Sequence, residues 1–229
     1  MAIATIAIGN LGVYAATSLR LIAANIVIVS VGTLLLAFVI GGGYALSIGF
    51  YYLLHSTVVT AALFLIADLI GTQRGSARDQ FVSAGPVSQP TLLGGAFLVI
   101  AIAAIGLPPL SGFVGKALLL QSTRQVAEQV WVWPALLISS LTTLIAFSMA
   151  GSMFFWNITT RDFSGGHKAR FTQIVAVSIL ISLTALMTTC TSSILTYSEG
   201  AARDIRKHPI HIESRIKTDR SLVHEAHKS

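Results

Sequence analysis

The sequence predicts an all-α membrane protein with about six transmembrane helices, the fourth of them discontinuous at Pro108-Pro109. Three observations predict it. Of the 229 residues, 54% are hydrophobic and only 10% are charged, against about 25% charged in a soluble domain. The apolar residues gather into runs close to the ~20 residues that a spanning helix needs. One such run, from Ala103 to Lys116, is interrupted by two adjacent prolines and three glycines, with a lysine just beyond.

Proline removes a backbone donor and clashes with the preceding turn, so no regular helix passes through Pro108-Pro109. Unsatisfied backbone in hydrocarbon is costly, and such a break persists only where protein or a water-filled cavity covers it. Broken helices beside a charge are the usual architecture of ion and proton sites in transporters. The plainer alternative is a kinked span whose lysine snorkels to the interface. Lys116 lies near the far end of the apolar stretch Leu92 to Leu120, where snorkelling is cheap.

Taken in order, the first helix covers Ala2 to Thr17 and is short for a full span. The second runs from Arg20 to Ile40, and Gly41-Gly42-Gly43 makes a tight connection. The third, Tyr44 to Ile70, is long enough to tilt. A polar loop from Gly71 to Pro90 leads to the broken fourth helix, which ends near Gln121. A short loop with Arg124 and Glu128 precedes the fifth helix, Trp131 to Trp156, with tryptophans at both ends as interface anchors. The loop from Asn157 to Arg170 carries Arg161, Asp162, Lys168 and Arg170, and the sixth helix is Phe171 to Tyr197. Residues 1–198 thus form the transmembrane domain. Residues 199–229 are charged, contain histidines and lack apolar period, so a disordered tail is expected.

The net charge of +6 is spread over loops and tail, which gives nucleic-acid binding no support. Cys190 is the only cysteine, so an internal disulfide and a cysteine metal cluster are excluded. No cluster has metal-ligand spacing, no glycine loop cradles phosphate and no catalytic triad is evident. No cofactor, metal or enzymatic chemistry is therefore expected. No signal peptide is expected either, because the N-terminal run lacks a basic leader. By the excess of Lys and Arg, the side holding Arg20, Arg74, Arg78, Arg161, Lys168 and Arg170 is expected in the cytoplasm, with both termini outside.

Two ionisable groups lie inside apolar helices, where such groups mark function by default. Lys116 is one. Lysine releases a proton near neutrality only where its surroundings disfavour the charged form, and the carbonyl end of the half-helix before the break opposes that. His55, near the middle of the third helix, is the other. An imidazole there either passes a proton, since both its forms exist near neutrality, or hydrogen-bonds a neighbouring helix. Ser56 and Thr60 flank it and could hold water. Asn25, Ser30, Thr33, Ser139, Ser140, Thr142 and Thr143 could line a hydrated path, although such residues more often serve as small packing groups, as Thr184, Thr188 and Thr191 do. Arg20, at a helix end, either snorkels or supports the relay, and Asp68 reads as interfacial.

Three segments then carry a resemblance. Ser18-Leu19-Arg20-Leu21-Ile22-Ala23-Ala24-Asn25 followed by Val29-Ser30-Val31-Gly32 is similar to a D-L-[KR]-R-L-[IL]-A-Y-S segment leading to a Ser- and Gly-containing helix. His55 to Phe64 resembles H-[HS]-x-x-x-[KT]-A-x-L-F, and Gly106 to Lys116 resembles G-[LM]-P-x-x-G-F-x-[GS]-[KE]. These belong to the antiporter-like membrane subunits shared by Mrp-type multisubunit cation/proton antiporters and the proton-pumping arm of respiratory complex I. The combination most resembles the D-type subunits of the Mrp (Pha) antiporters, over about residues 1–157. The resemblance implies a fold of about fourteen helices with two inverted five-helix repeats, of which this chain covers the second repeat and the last helix. It places Lys116 at the lysine or glutamate of the exit half-channel, His55 on the central hydrophilic axis, and Gly106, Pro108, Pro109 and Gly112 at the helix break. Thr60 stands where many relatives carry lysine, and Ser18 replaces the usual aspartate beside Arg20. On this resemblance, the first repeat is expected to lie outside this sequence.

The function expected from residues and resemblance together is a subunit of a monovalent cation (Na+ or K+)/H+ antiporter in a bacterial inner membrane. Other hydrophobic subunits and the lipid bilayer would be its partners. Two rivals stand: a proton-pumping subunit of a complex I-like oxidoreductase or membrane hydrogenase, and a non-conducting scaffold.

Overall fold

The computed structural model describes residues 1–83, 87–124, 129–156 and 169–207, and these are helical apart from short links. The helices are α1 (Ala2–Tyr14), α2 (Leu19–Ile40), α3 (Gly42–Gln73), α4 (Pro90–Ile105), α5 (Ser111–Ser122), α6 (Gln129–Phe155), α7 (Phe171–Thr189) and α8 (Thr191–Lys207). Four of them, α2, α3, α6 and α7, are long and apolar enough to cross a membrane. Helices α4 and α5 are the two halves of the expected broken span.

The long α3 is the axis of the bundle and touches α2, α4, α5, α7 and α8. One core gathers Leu19, Ile22, Leu63, Ile66, Ile100 and Phe154. A smaller one joins Ile6, Val29, Ile48, Leu119 and Leu136. Large apolar side chains also point outward, among them Leu98, Leu137, Ile138, Leu141 and Met149. Helices that are apolar on every face suit a bilayer or a subunit contact and not water. Helices α1 and α2 approach closely because small residues face the partner: a Cβ on Gly9 would lie 2.7 Å from Val29, and one on Gly32 would lie 2.6 Å from Ile6.

One end of the bundle is closed by a polar network. Ser18 Oγ accepts from the Leu21 N–H at 3.2 Å, and the Asp79 carboxylate accepts from the Arg20 N–H at 2.9 Å. Together they satisfy the free donors at the start of α2. Arg74 is buried and donates to the carbonyls of Arg78, Gln80 and Val82 at 3.1, 2.7 and 2.6 Å, with its guanidinium 4.9 Å from the Phe154 ring centroid. Gln73 and Gln89 exchange hydrogen bonds at 3.2 and 3.1 Å, and Gln89 Oε1 also accepts from the Ala169 N–H. Arg20, Arg74, Arg78 and Arg170 therefore share one end of the molecule, as the loop count required. Arg161, Asp162, Lys168 and Glu128 lie outside the described residues. Arg74→Ala strips three carbonyls of a charged donor at once, each such bond being worth ~1.5–3 kcal/mol. It is expected to lower the thermal midpoint of the purified protein and to open the segment after α3 to protease. A segment as resistant as in the wild type would show that Arg74 does not hold it.

Several boundaries differ from expectation. The first helix ends at Tyr14 and not Thr17, while α3 is longer at both ends, so Gly41 alone (φ 70°) links it to α2. The sixth helix is two helices. It breaks at Cys190, where Thr188 and Thr191 hydroxyls donate to carbonyls of the preceding turn and the Tyr51 hydroxyl donates to Met187 O at 3.3 Å. Beyond the break α8 continues to Lys207, into the stretch expected to be disordered. Ser198, just before that stretch, and Ala202, within it, are buried one turn apart in a helix that packs on α3, and Glu199 pairs with Arg203 at 3.4 Å. A face built of such small residues carries little hydropathy, so the period escapes a reading by apolar runs. The rest of the expected tail, with His208, His211, His224 and His227, lies outside the described residues.

Candidate functional site

The site is built at the break. Helix α4 stops because Gly106 takes a left-handed conformation (φ 82°), which lets the N–H groups of Gly106 and Leu107 both donate to Ile102 O at 3.1 Å. Pro108 and Pro109 have no N–H to continue the ladder, and the peptide between them is cis. Leu110, in extended geometry, turns the chain into α5 at Ser111.

This leaves the last carbonyls of α4 without helical partners, and Lys116 supplies one. Its side chain folds back across the break, and Nζ donates to Ile105 O at 2.8 Å and to Ser140 Oγ of α6 at 2.8 Å. Lys116 is only 9% exposed. The amine therefore does not snorkel to an interface. It sits at the negative end of the α4 dipole, as the sequence implied.

His55 comes to the same place from α3. It is 3% exposed, and its Nδ1 shares a 2.8 Å hydrogen bond with Ser111 Oγ, the first residue of α5. The imidazole presses on the next residue: a Cβ on Gly112 would lie 2.9 Å from His55 Nε2 and would collide with Ala103 O. Only glycine fits between the ring and the end of α4. The Tyr52 ring stands 5.8 Å from the imidazole, and its hydroxyl is directed to Ser30 and Thr33.

A cavity of about 20 Å³ joins the two groups, lined among others by Ser30, Tyr52, His55, Thr60, Lys116 and Ser139. Ser56 and Thr143 also reach it. That volume holds one water molecule. The far larger apolar groove between α4 and α6, about 800 Å³, borders neither ionisable group.

Of the residues singled out in the sequence, the structure brings His55, Ser56, Thr60 and Lys116 together around this cavity, with Gly106 and Gly112 supplying the clearance. Arg20 is elsewhere. It forms an ion pair with Asp68 at 2.7 Å, both side chains nearly half exposed, about 20 Å along α3 from His55 at 1.5 Å per residue. An exposed pair of this kind contributes little stability. Asn25 and Thr142 bond carbonyls of their own helices, at Leu21 and Ile138, and take no part. Ser30, Ser139, Ser140 and Thr143, which sequence alone leaves between lining a hydrated path and packing, are at the site. Ser111 and Tyr52 were not singled out at all. Their spacing from Lys116 and His55, five and three residues, was the available signal. Among the described residues no group of His, Cys, Asp and Glu could hold a metal ion.

Chemically, the arrangement places an amine and an imidazole in a nearly dry pocket with hydroxyls between them. Each can take or release a proton, and the low local dielectric makes each sensitive to the charge of the other.

The family described as NADH:quinone oxidoreductase/Mrp antiporter, TM, matches residues 1–146. A Rhizobium meliloti (strain 1021) protein, named as the probable D component of a K(+)/H(+) antiporter, is 31% identical over 180 residues, 66% of this chain and 33% of that protein. Antiporter subunit mnhD2 of Staphylococcus aureus (strain JH9) is 31% identical over 175 residues, 76% of this chain and 34% of that protein. The chain spans about a third of the length of these curated relatives. Among solved structures, a chain of the Mrp complex from Dietzia sp. DQ12-45-1b superposes with a TM-score of 0.76 at 22% identity, over 93% of this chain and 47% of that one. A chain of respiratory complex I from Thermus thermophilus with bound NADH gives 0.73 at 21%, over 88% and 43%. At these identities the likeness is one of fold.

Proposed function

Because this chain belongs to the NADH:quinone oxidoreductase/Mrp antiporter transmembrane family, we propose that it works as a membrane subunit of a multisubunit monovalent cation/proton antiporter. It is a multi-pass membrane protein. The bacterial cell membrane is the proposed location, other hydrophobic subunits are the proposed partners, and Na+ or K+ is the proposed counter-ion. The relatives that bear antiporter names support this reading. So does one observation above the rest: an amine buried at an interrupted helix, donating to the exposed carbonyl end and sharing a water-sized cavity with a histidine.

In this mechanism a proton reaches His55, crosses the cavity and charges Lys116. The ammonium is held by Ile105 O and Ser140 Oγ until it releases the proton on the far side of the break. The Ser111 hydroxyl fixes one ring nitrogen of His55, so Nε2 is the nitrogen left for exchange. The domain proposed to carry this is residues 1–198.

The test is cation/proton exchange in everted membrane vesicles bearing the full complex. His55→Ala and Lys116→Ala are each expected to stop exchange while the protein still assembles. Wild-type exchange in either variant would remove that residue from the relay.

A further inference from the structure

The serine next to the lysine's own partner is, with Asn10, one of two residues among those described that carry a buried side-chain polar atom without a partner. Ser139 is 1% exposed, its Oγ makes no hydrogen bond to the protein, and it lines the cavity shared by His55 and Lys116. A buried hydroxyl without a partner is penalised by its lost hydration, and native proteins rarely keep one idle. Its neighbour Ser140 already accepts from Lys116. Consecutive helical residues point about 100° apart, so while Ser140 is bound to the amine Ser139 is aimed elsewhere, to the lining of the cavity.

We propose that Ser139 is a positioning residue, anchoring a single water molecule in this cavity so that it bridges His55 and Lys116. The inference rests on the relay reading above and adds to it the residue that makes the gap passable. The site meets the requirements for an ordered water: about 20 Å³ of room and several polar neighbours. Ser139 Oγ supplies a partner with no other commitment. The neutral Lys116 amine has two N–H groups, engaged by Ile105 O and Ser140 Oγ, and a lone pair left for the cavity; once charged, that position is its third donor. In the transfer, the water gives a proton to the neutral amine and takes one from the imidazolium. The result is neutral His55, charged Lys116 and an unchanged water. Ser139 neither gains nor loses a proton. It fixes where the oxygen sits.

The experiment compares wild type with Ser139→Ala in the assembled complex, reconstituted in proteoliposomes. The expected result is a turnover lowered about tenfold, the scale of one lost positioning hydrogen bond, with the half-saturating cation concentration unchanged. A high-resolution density map of the wild-type complex is expected to show one water within hydrogen-bond distance of Ser139 Oγ, absent or displaced in the variant. If the hydroxyl were idle, Ser139→Ala would transport normally and melt at a higher temperature, and either result overturns the proposal. Should the variant fail to assemble, the wild-type map decides alone: a cavity without density, where other buried waters are resolved, overturns it. Lys116→Ala separates the two levels. Normal exchange in that variant removes the relay itself, whereas lost exchange there with full turnover in Ser139→Ala removes only the role of Ser139.

Discussion

Lys116→Ala is expected to lower cation/proton exchange at least about a hundredfold, the scale of removing an obligate proton carrier. The argument is one of contacts. The amine is the only side-chain donor that reaches Ile105 O among the described residues, and it crosses from α5 to α6 to meet Ser140. Alanine leaves the carbonyl and the hydroxyl unpaired inside the bundle, at ~1–3 kcal/mol each. Some loss of stability therefore accompanies the loss of transport, and the amount of the protein in the membrane must be measured beside the exchange rate. Lys116→Arg separates charge from proton release. The guanidinium keeps the positive charge and the donors but does not deprotonate in proteins. Exchange is expected to stay lost in Lys116→Arg while the protein still assembles. Restoration of exchange by arginine would mean that the cation acts only as a fixed charge, and the relay would fail.

Gly112→Ala is the second large effect, and it acts through space alone. The new methyl would collide with Ala103 O and come within 2.9 and 3.0 Å of His55 Nε2 and Cε1. A backbone carbonyl at the end of α4 cannot swing aside as a flexible side chain does. Overpacking of this sort costs ~1–3 kcal/mol or more, and here relief must either move the imidazole off Ser111 or push α5 from α4. The expected outcome is a sharply lower yield of assembled protein, with exchange abolished in what remains. Gly95→Ala is the control within the same broken span, since a Cβ there meets nothing within 4 Å. It is expected to be neutral or to stabilise α4 by up to ~1 kcal/mol. Equal behaviour of the two variants would refute the close packing of the imidazole on α5.

The break itself was plain in the sequence, because proline chemistry acts locally and needs no tertiary context. Lys116 and His55 were legible for a similar reason: an ionisable residue stands out in any run of apolar ones. What could not be read was which hydroxyls they meet. Ser140 and Thr142 look alike along the chain, yet one holds the amine and the other bonds Ile138 O of its own helix. Only the rotation of α6 against α5 decides between them. Arg74 was one basic residue in a polar loop, and nothing in its neighbours announced that it would bury itself under three carbonyls. The extension of α8 was missed because its packed face consists of small residues, whose burial depends on the closeness of α3 and not on their own hydropathy.

The lengths of the two half-helices carry a consequence for how this span is held in the membrane. At 1.5 Å per residue, α4 and α5 measure about 24 and 18 Å, each less than the ~30 Å hydrocarbon layer. Neither half can enter lipid by itself with its interrupted end satisfied. Ile105 O at that end finds its lysine from α5, the lysine finds its serine from α6, and the ring that packs the seam comes from α3. The interrupted span therefore has its polar groups satisfied only when α3, α5 and α6 are all in place around it.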